Sequence, residues 1–197
     1  MSSKTLASVN KGLQRSRLVG ANLGNREKDD FYATPSASTE ALLKAESFEG
    51  DIWEPACGNG AISSVLAARG HRVSSSDLVD RGFGDTGVDF LMEWKPRAPN
   101  IVTNPPFKLS TQFVQKALQL TTGKVAMLFK VGFLEGIERG PLFDVAPFAR
   151  LWVFRRRQSF LRGGVERVSM NGAGGMIAYG WFVWEHGYTG KPTLGWI

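Results

Sequence analysis

The chain contains one cysteine, Cys57, and only two histidines, His71 and His186. A single thiol excludes an intramolecular disulfide and a cysteine-rich zinc centre, and it suits a reducing interior. Each histidine stands alone, and no His, Asp and Glu set has metal-ligand spacing, so no metal is expected. No apolar run has the length of a membrane span, and the first residues lack the apolar stretch of a signal peptide. These absences predict a cytoplasmic protein without a membrane partner. Its 197 residues can bury a sizeable core without covalent or metal support.

Acidic residues are also in the minority: 18 Asp and Glu stand against 24 Lys and Arg, a net charge of +6. A basic excess favours a polyanionic partner, because phosphate contacts release condensed counterions. The excess alone fits an ordinary mildly basic protein equally well, so the placement of the charges carries the argument. In residues 1–28, Lys4, Lys11, Arg15, Arg17, Arg26 and Lys28 face only Glu27, with no sustained apolar period. That composition predicts a flexible basic arm, or a tail without a role. Residues 29–197 then form a single domain.

Within the domain, apolar strands alternate with helices. Thr34 and Pro35 read as a helix cap and first helical position, with the helix running through Thr39 to Lys44. A short strand at Asp51–Glu54 leads into a glycine loop, Cys57–Gly60, and a helix from Ile62 to Arg69 that stops at Gly70. A second strand starts at His71 and ends at Asp77. Asn100–Asn104 is a third strand, cut off by Pro105 and Pro106, which cannot continue a central ladder. The helix Thr111–Leu120 and the fully apolar strand Val125–Phe129 follow. Late strands at Leu151–Phe154 and Ile177–Trp184 flank a glycine-rich stretch and predict an antiparallel hairpin that finishes the sheet. The expected fold is α/β, a mostly parallel, doubly wound sheet.

Two strand ends carry chemistry. In Trp53-Glu54-Pro55-Ala56-Cys57-Gly58-Asn59-Gly60, the glycines let the backbone turn sharply and approach a ligand closely. Dinucleotide-binding loops do the same, but the third glycine of their pattern is replaced here. Asp77 ends the next strand, where an acceptor-only carboxylate can take both vicinal hydroxyls of a ribose. A solvated loop acid is the alternative. Cys57 has no basic neighbour in sequence that would make it a nucleophile.

The second strand end is Asn104-Pro105-Pro106-Phe107, in the place where open α/β sheets bind ligands. The Asn104 amide oxygen and the Pro105 carbonyl form an acceptor pair for a planar –NH2 group. Two acceptors draw the amine hydrogens out of plane and localise the nitrogen lone pair, so no strong base is needed. Phe107 offers a stacking face for the heterocycle. A proline-rich turn without a role is the competing reading, and it weakens once the glycine loop and Asp77 precede it in order.

These motifs, taken in order, resemble the S-adenosylmethionine-dependent amino-methyltransferases, and among them the small adenine-specific DNA methyltransferases of phages and prophages. The resemblance implies a Rossmann-like class I fold with an antiparallel C-terminal strand. It also implies S-adenosylmethionine as methyl donor, S-adenosylhomocysteine as product, and a bacterial or phage-infected cell. Asp30-Phe31-Tyr32-Ala33-Thr34-Pro35 resembles the family's N-terminal cofactor element, implying contacts from Phe31, Tyr32 and Thr34. The glycine loop implies Glu54, Ala56, Cys57, Gly58 and Gly60. Ser76-Asp77-Leu78 looks like the ribose turn, and Asp89-Phe90 like the contact to the cofactor's adenine ring. Asn104, Pro105, Pro106 and Phe107 match the catalytic tetrapeptide, with Asn104 also beside the cofactor. The run Tyr179–Tyr188 and the segment Arg156-Arg157-Gln158-Ser159-Phe160 look like the phage subgroup, which brings Ser159 to the substrate side.

Between residues 150 and 167, Arg150, Arg155, Arg156, Arg157, Arg162 and Arg167 face only Glu166. This reads as a phosphate-binding strip beside the tetrapeptide, or as a solvated charged loop. The favoured substrate is therefore adenine in DNA, flipped out of a duplex onto Phe107. Adenine in RNA and glutamine in protein remain as alternatives, although enzymes of the latter class usually carry Tyr where Phe107 stands. A non-catalytic nucleic-acid binder is a further one. No segment is long enough for a separate target-recognition domain. Specificity is expected to be short or relaxed, with segments 130–150 and 155–176 touching the substrate.

Overall fold

The computed structural model describes residues 31–156, 158, 161–162 and 177–197. The basic arm predicted over 1–28, Arg157, Ser159 and most of the glycine-rich stretch lie outside them. The described strands are β1 (Tyr32–Ala33), β2 (Ile52–Glu54), β3 (Val73–Asp77), β4 (Asp85–Thr86), β5 (Asn100–Thr103), β6 (Lys124–Lys130), β7 (Phe148–Val153), β8 (Leu161–Arg162), β9 (Tyr179–Glu185) and β10 (Thr193–Trp196). The helices are α1 (Ser36–Ala45), α2 (Ala61–Ala68), α3 (Ser110–Leu120) and the short α4 (Gly140–Asp144). None of these helices is long and apolar enough to cross a membrane.

Eight strands form one sheet in the order β10-β7-β9-β6-β5-β2-β3-β4. All run in one direction except β9, which is antiparallel to both β6 and β7. The expected doubly wound sheet is present, but the late hairpin does not finish it. Residues 180–184 of β9 are buried throughout, so this strand needs partners on both edges and sits between β6 and β7. The edge falls instead to β10, parallel to β7, with Leu194 and Trp196 exposed. A separate two-stranded piece pairs β1 with β8, antiparallel.

Strand alternation sends successive side chains to opposite faces. Ile101, Val125, Met127, Phe129, Phe182 and Trp184 pack with Phe113, Val114 and Ala117 of α3. On the other face, Ile52, Val102, Ala126, Leu128, Trp181 and Val183 pack with Leu42 of α1 and with Ile62 and Leu66 of α2. Both faces are covered, which explains why the central strands are apolar without a break. The C-terminal ends of β2, β3, β5, β6 and β7 then share one edge, and the start of β9 joins them there.

Two readings are corrected. Thr34 does not cap α1: Pro35 occupies the N-cap position, with no side-chain cap. The Thr34 hydroxyl is turned to Asn104 instead, accepting a hydrogen bond of 3.1 Å from its amide nitrogen. Arg150 does not belong to a phosphate strip. It lies near the start of β7, at the opposite edge of the sheet, where its guanidinium pairs with Glu46 and Glu185.

Glu46 is the hub of that edge, with a side chain only 2% exposed. It also takes Lys124 Nζ at 2.8 Å and Trp152 Nε1 at 2.8 Å. Burial raises its pKa, but the hydrogen bonds from Arg150, Lys124 and Trp152 outweigh burial and hold the carboxyl below its ordinary value of 4.5. Its stabilising contribution is therefore complete above that value and is lost as pH falls through the lower folded one. Glu46→Gln leaves the two cations without their counter-charge and should cost up to about 3–5 kcal/mol at pH 7. Urea denaturation between pH 7 and pH 3 should show wild-type stability falling in acid more steeply than that of the variant. Equal slopes would contradict this role.

Candidate active site

The glycine loop joins β2 to α2 with left-handed backbone at Gly58 (φ +55°) and Gly60 (φ +82°). A Cβ on Gly58 would lie 2.5 Å from the Phe31 ring, and one on Gly60 would lie 2.5 Å from the Phe83 ring. Conformation and close packing both demand glycine at these two positions. The loop is pinned by backbone bonds, Cys57 N–H to Ser76 O at 3.0 Å and Gly60 N–H to Cys57 O at 2.8 Å.

Two acidic side chains hold the loop from different sides. Asp77, half-buried at the end of β3, accepts from Gly58 N–H through Oδ2 and from Val79 N–H through Oδ1, each at 2.8 Å. Each oxygen keeps further acceptor capacity. Glu54 lies beneath, 1% exposed. Its Oε2 accepts from Ser63 N–H at 2.8 Å and from the Ser63 hydroxyl. Gly60 has no side chain to cap α2, so Glu54 satisfies a free N–H of the first turn from the neighbouring strand. Oε2 of Glu54 is thereby committed to the start of α2.

Asn104 follows the end of β5, half-buried. Its amide nitrogen donates to Tyr32 O at 3.3 Å and to Thr34 Oγ1 at 3.1 Å. The Tyr32 carbonyl only accepts, which fixes which end of the amide faces β1 and leaves Oδ1 for another donor. Pro106 O accepts from Leu109 N–H, opening a 3-10 turn at Phe107–Leu109. The Phe107 ring lies 6.1 Å from Tyr32 and 6.4 Å from Tyr179, tilted to both, with Lys130 Nζ 4.8 Å from its centre. Burial pushes the Tyr179 phenol up to about 12, so it stays neutral.

The structure brings Phe31, Gly58, Gly60 and Asp77 into one cluster, and Tyr32, Thr34, Asn104 and Phe107 into another beside it. Ala56 and the buried Pro105 belong to the same two loops, and Pro106 is half-buried. Leu78 is exposed just past Asp77. Asp89 is exposed and caps the turn Phe90–Met92 through Leu91 N–H at 3.0 Å. The Phe90 ring packs in the core at 5.1 Å from Trp53 and 4.9 Å from Phe113, which leaves its backbone as the part that could meet a ligand. Cys57 is buried, and burial pushes its thiol up to about 12, which leaves it unreactive at neutral pH. Arg155 and Arg156 are exposed just past β7, on the edge that carries Asn104. No group of three metal-ligating side chains occurs among the described residues.

Sequence reading missed Phe83 and Lys130. Lys130 left a signal, since a charge closing an apolar parallel strand lies on the ligand-binding edge. Phe83 left none, because its approach to Gly60 depends on a turn 23 residues downstream.

No protein-family model and no curated protein matches the sequence. Solved structures do match. Protein 1320 of Thermoplasma acidophilum superposes with a TM-score of 0.56 at 13% identity, over 77% of this chain and 88% of that one. A predicted O-methyltransferase, Atu636 from Agrobacterium tumefaciens, gives 0.53 at 14%, over 82% and 85%. Magnesium protoporphyrin IX methyltransferase from Synechocystis, solved with bound S-adenosylmethionine, gives 0.50 at 11%, over 76% of each chain. The likeness is one of fold: this chain has the Rossmann-like class I S-adenosylmethionine-dependent methyltransferase fold.

Glu54 makes the loop's stability depend on pH. Burial pushes its carboxyl up to about 8 against the opposing Ser63 hydrogen bonds, and nearby Asp77 adds to the rise. The folded pKa lies above the ordinary 4.5, so this group's contribution is complete below 4.5 and is lost as pH rises through about 8. Denaturation midpoints should fall between pH 5 and pH 8, with this group contributing a slope of up to about 1.4 kcal/mol per pH unit. Glu54→Gln still accepts from Ser63 and should flatten that slope. An unchanged slope in the variant would show that Glu54 is ionised in the folded protein.

Proposed function

We propose that this chain is an S-adenosylmethionine-dependent methyltransferase that methylates the exocyclic 6-amino group of adenine in DNA. The observation that carries the reading is the Asn104 amide, anchored by its nitrogen to Tyr32 and Thr34 next to the Phe107 ring. An amide held that way offers Oδ1 as a fixed acceptor for one amine hydrogen, and the Pro105 carbonyl offers a second. Phe107, with Tyr32 and Tyr179 around it, gives the base an aromatic surface. Arg155 and Arg156 on the same edge suit a polyanion.

The cofactor cluster fits a ribosylated, cationic donor. Asp77 has acceptor capacity left for the two ribose hydroxyls, and the Gly58 and Gly60 backbone lets a ligand approach closely. Phe31 lies against that loop, and the resemblance adds Leu78, Asp89 and the Phe90 backbone as further contacts. When bound, S-adenosylmethionine supplies a methyl carbon attached to a sulfonium. The chain's own task is alignment: Asn104 and Pro105 turn the amine lone pair toward that carbon. The amine nitrogen bonds to carbon as the carbon–sulfur bond breaks, and the amine then sheds one proton to solvent.

Asn104→Ala removes one preorganised acceptor and leaves the stacking ring. Turnover on an adenine-containing oligonucleotide should fall by on the order of a hundredfold or more, while cofactor affinity by calorimetry stays within a few-fold. Phe107→Ala should weaken substrate capture as well, by about 1–3 kcal/mol. Near-normal turnover in Asn104→Ala would reduce the tetrapeptide to a turn and end the adenine assignment.

A further inference from the structure

Strand β6 carries a lysine at each end. Lys124 is neutralised by Glu46 at 2.8 Å. Lys130, at the active edge, is half-buried too, yet it forms no ion pair with any described residue. Its partner is a ring, Phe107, whose centre is 4.8 Å from Nζ. Tyr179 faces it across the ladder but remains a neutral phenol, so it adds no counter-charge. A cation taken partly out of water without an anion is costly, and a polyanionic substrate would supply the missing charge.

Strand order gives the direction. Along the edge come Asn104 after β5, Lys130 at the end of β6, Tyr179 at the start of β9, and Arg155 and Arg156 after β7. At roughly 4.8 Å per strand and 3.3 Å per residue, the register that pairs Thr103 with Met127 puts the Lys130 backbone about 8 Å from that of Asn104, and the arginines about 17 Å or more away. With Nζ 4.8 Å from the Phe107 ring centre, Lys130 is within side-chain reach of a phosphate joined to a nucleotide whose base lies on that ring, and the arginines lie two strands further along the same edge.

We propose that Lys130 is a positioning residue that binds the phosphate joined to the target nucleotide. It exchanges the Phe107 ring for that phosphate as the base arrives. The ring is then covered in both states, by the ammonium before binding and by the base after. An ammonium is a compact charge with three donors, which suits a phosphate oxygen better than a neutral base edge. The proposal rests on the adenine-methylation reading, and its test separates the two.

The probe is an oligonucleotide whose methylated adenine has been mapped, made with ordinary phosphodiesters or with uncharged methylphosphonates flanking that adenine. Wild type should lose about tenfold or more in kcat/KM on the uncharged linkage, mainly through KM. Lys130→Met keeps the aliphatic stem on Phe107. It should lose a similar factor on the ordinary linkage and less than about twofold further on the uncharged one. Lys130→Gln should behave the same way, and Lys130→Arg should restore the dependence on linkage charge. Cofactor affinity should not move in any variant. If Lys130→Met and Lys130→Gln lose about a further tenfold on the uncharged linkage, as wild type does, the two losses are independent, the lysine braces the ring and the phosphate role is wrong. A wild type that methylates adenine without regard to linkage charge also ends this inference alone. Failure of wild type to methylate any adenine ends the parent reading and this one with it.

Discussion

The hydrogen bonds from the Asn104 amide nitrogen to Tyr32 O and Thr34 Oγ1 join two parts of the chain that are about 70 residues apart. One is the end of a central strand, and the other is the short segment before the first helix. The tie orients the amide, and it also places Tyr32 beside Phe107 and Phe31 against Gly58. An amide free to rotate would present donor and acceptor ends in turn. Anchored at one end, it presents a single acceptor in a fixed place, which an amine can use without reorganisation at the moment of reaction.

Two acidic side chains one strand apart are put to different uses by their surroundings. Asp77 is half-exposed and holds only two backbone N–H groups, which leaves it able to bind a ligand. Glu54 is sealed beneath the loop and acts as the cap that Gly60 cannot be. The left-handed glycine that lets the loop approach a ligand thus removes the helix's own cap, and a buried acid on the adjacent strand replaces it. Loop and helix are consequently one unit, and a change in either shifts the other.

Periodicity and breakers made most of the fold legible in the sequence. The apolar run Val125–Phe129 required burial on both faces, and Pro105 required an end to β5. Gly70, with φ +90°, stops α2 as expected. The order of the late strands was not legible, because β9 and β7 pair antiparallel whether or not β9 is inserted next to β6. The strand at 193–196 was missed as well: four residues, including one glycine, carry too little alternation. The placement of the tetrapeptide, the glycine loop and Asp77 at strand ends was legible, because each has a local pattern. The contacts of Thr34, Glu54, Phe83, Phe90 and Lys130 were not legible, since their partners lie 9 to 70 residues away. A capping threonine and one that accepts from a distant asparagine look identical in sequence. Arg150 reads as part of a basic strip, but strand polarity carries it to the far edge of the sheet.

The central claim is that the Asn104 and Phe107 edge presents an acceptor to the amino group of a DNA adenine beside a methyl donor. The direct measurement is incubation of the purified protein with isotopically labelled S-adenosylmethionine and, separately, DNA, RNA and protein. Mass spectrometry of the digested products and sequencing of the modified DNA then identify the acceptor. The account predicts label on the 6-amino group of adenine in DNA, in a short or relaxed sequence context. Label confined to RNA or to glutamine side chains, or no label in DNA while the cofactor binds, would contradict it.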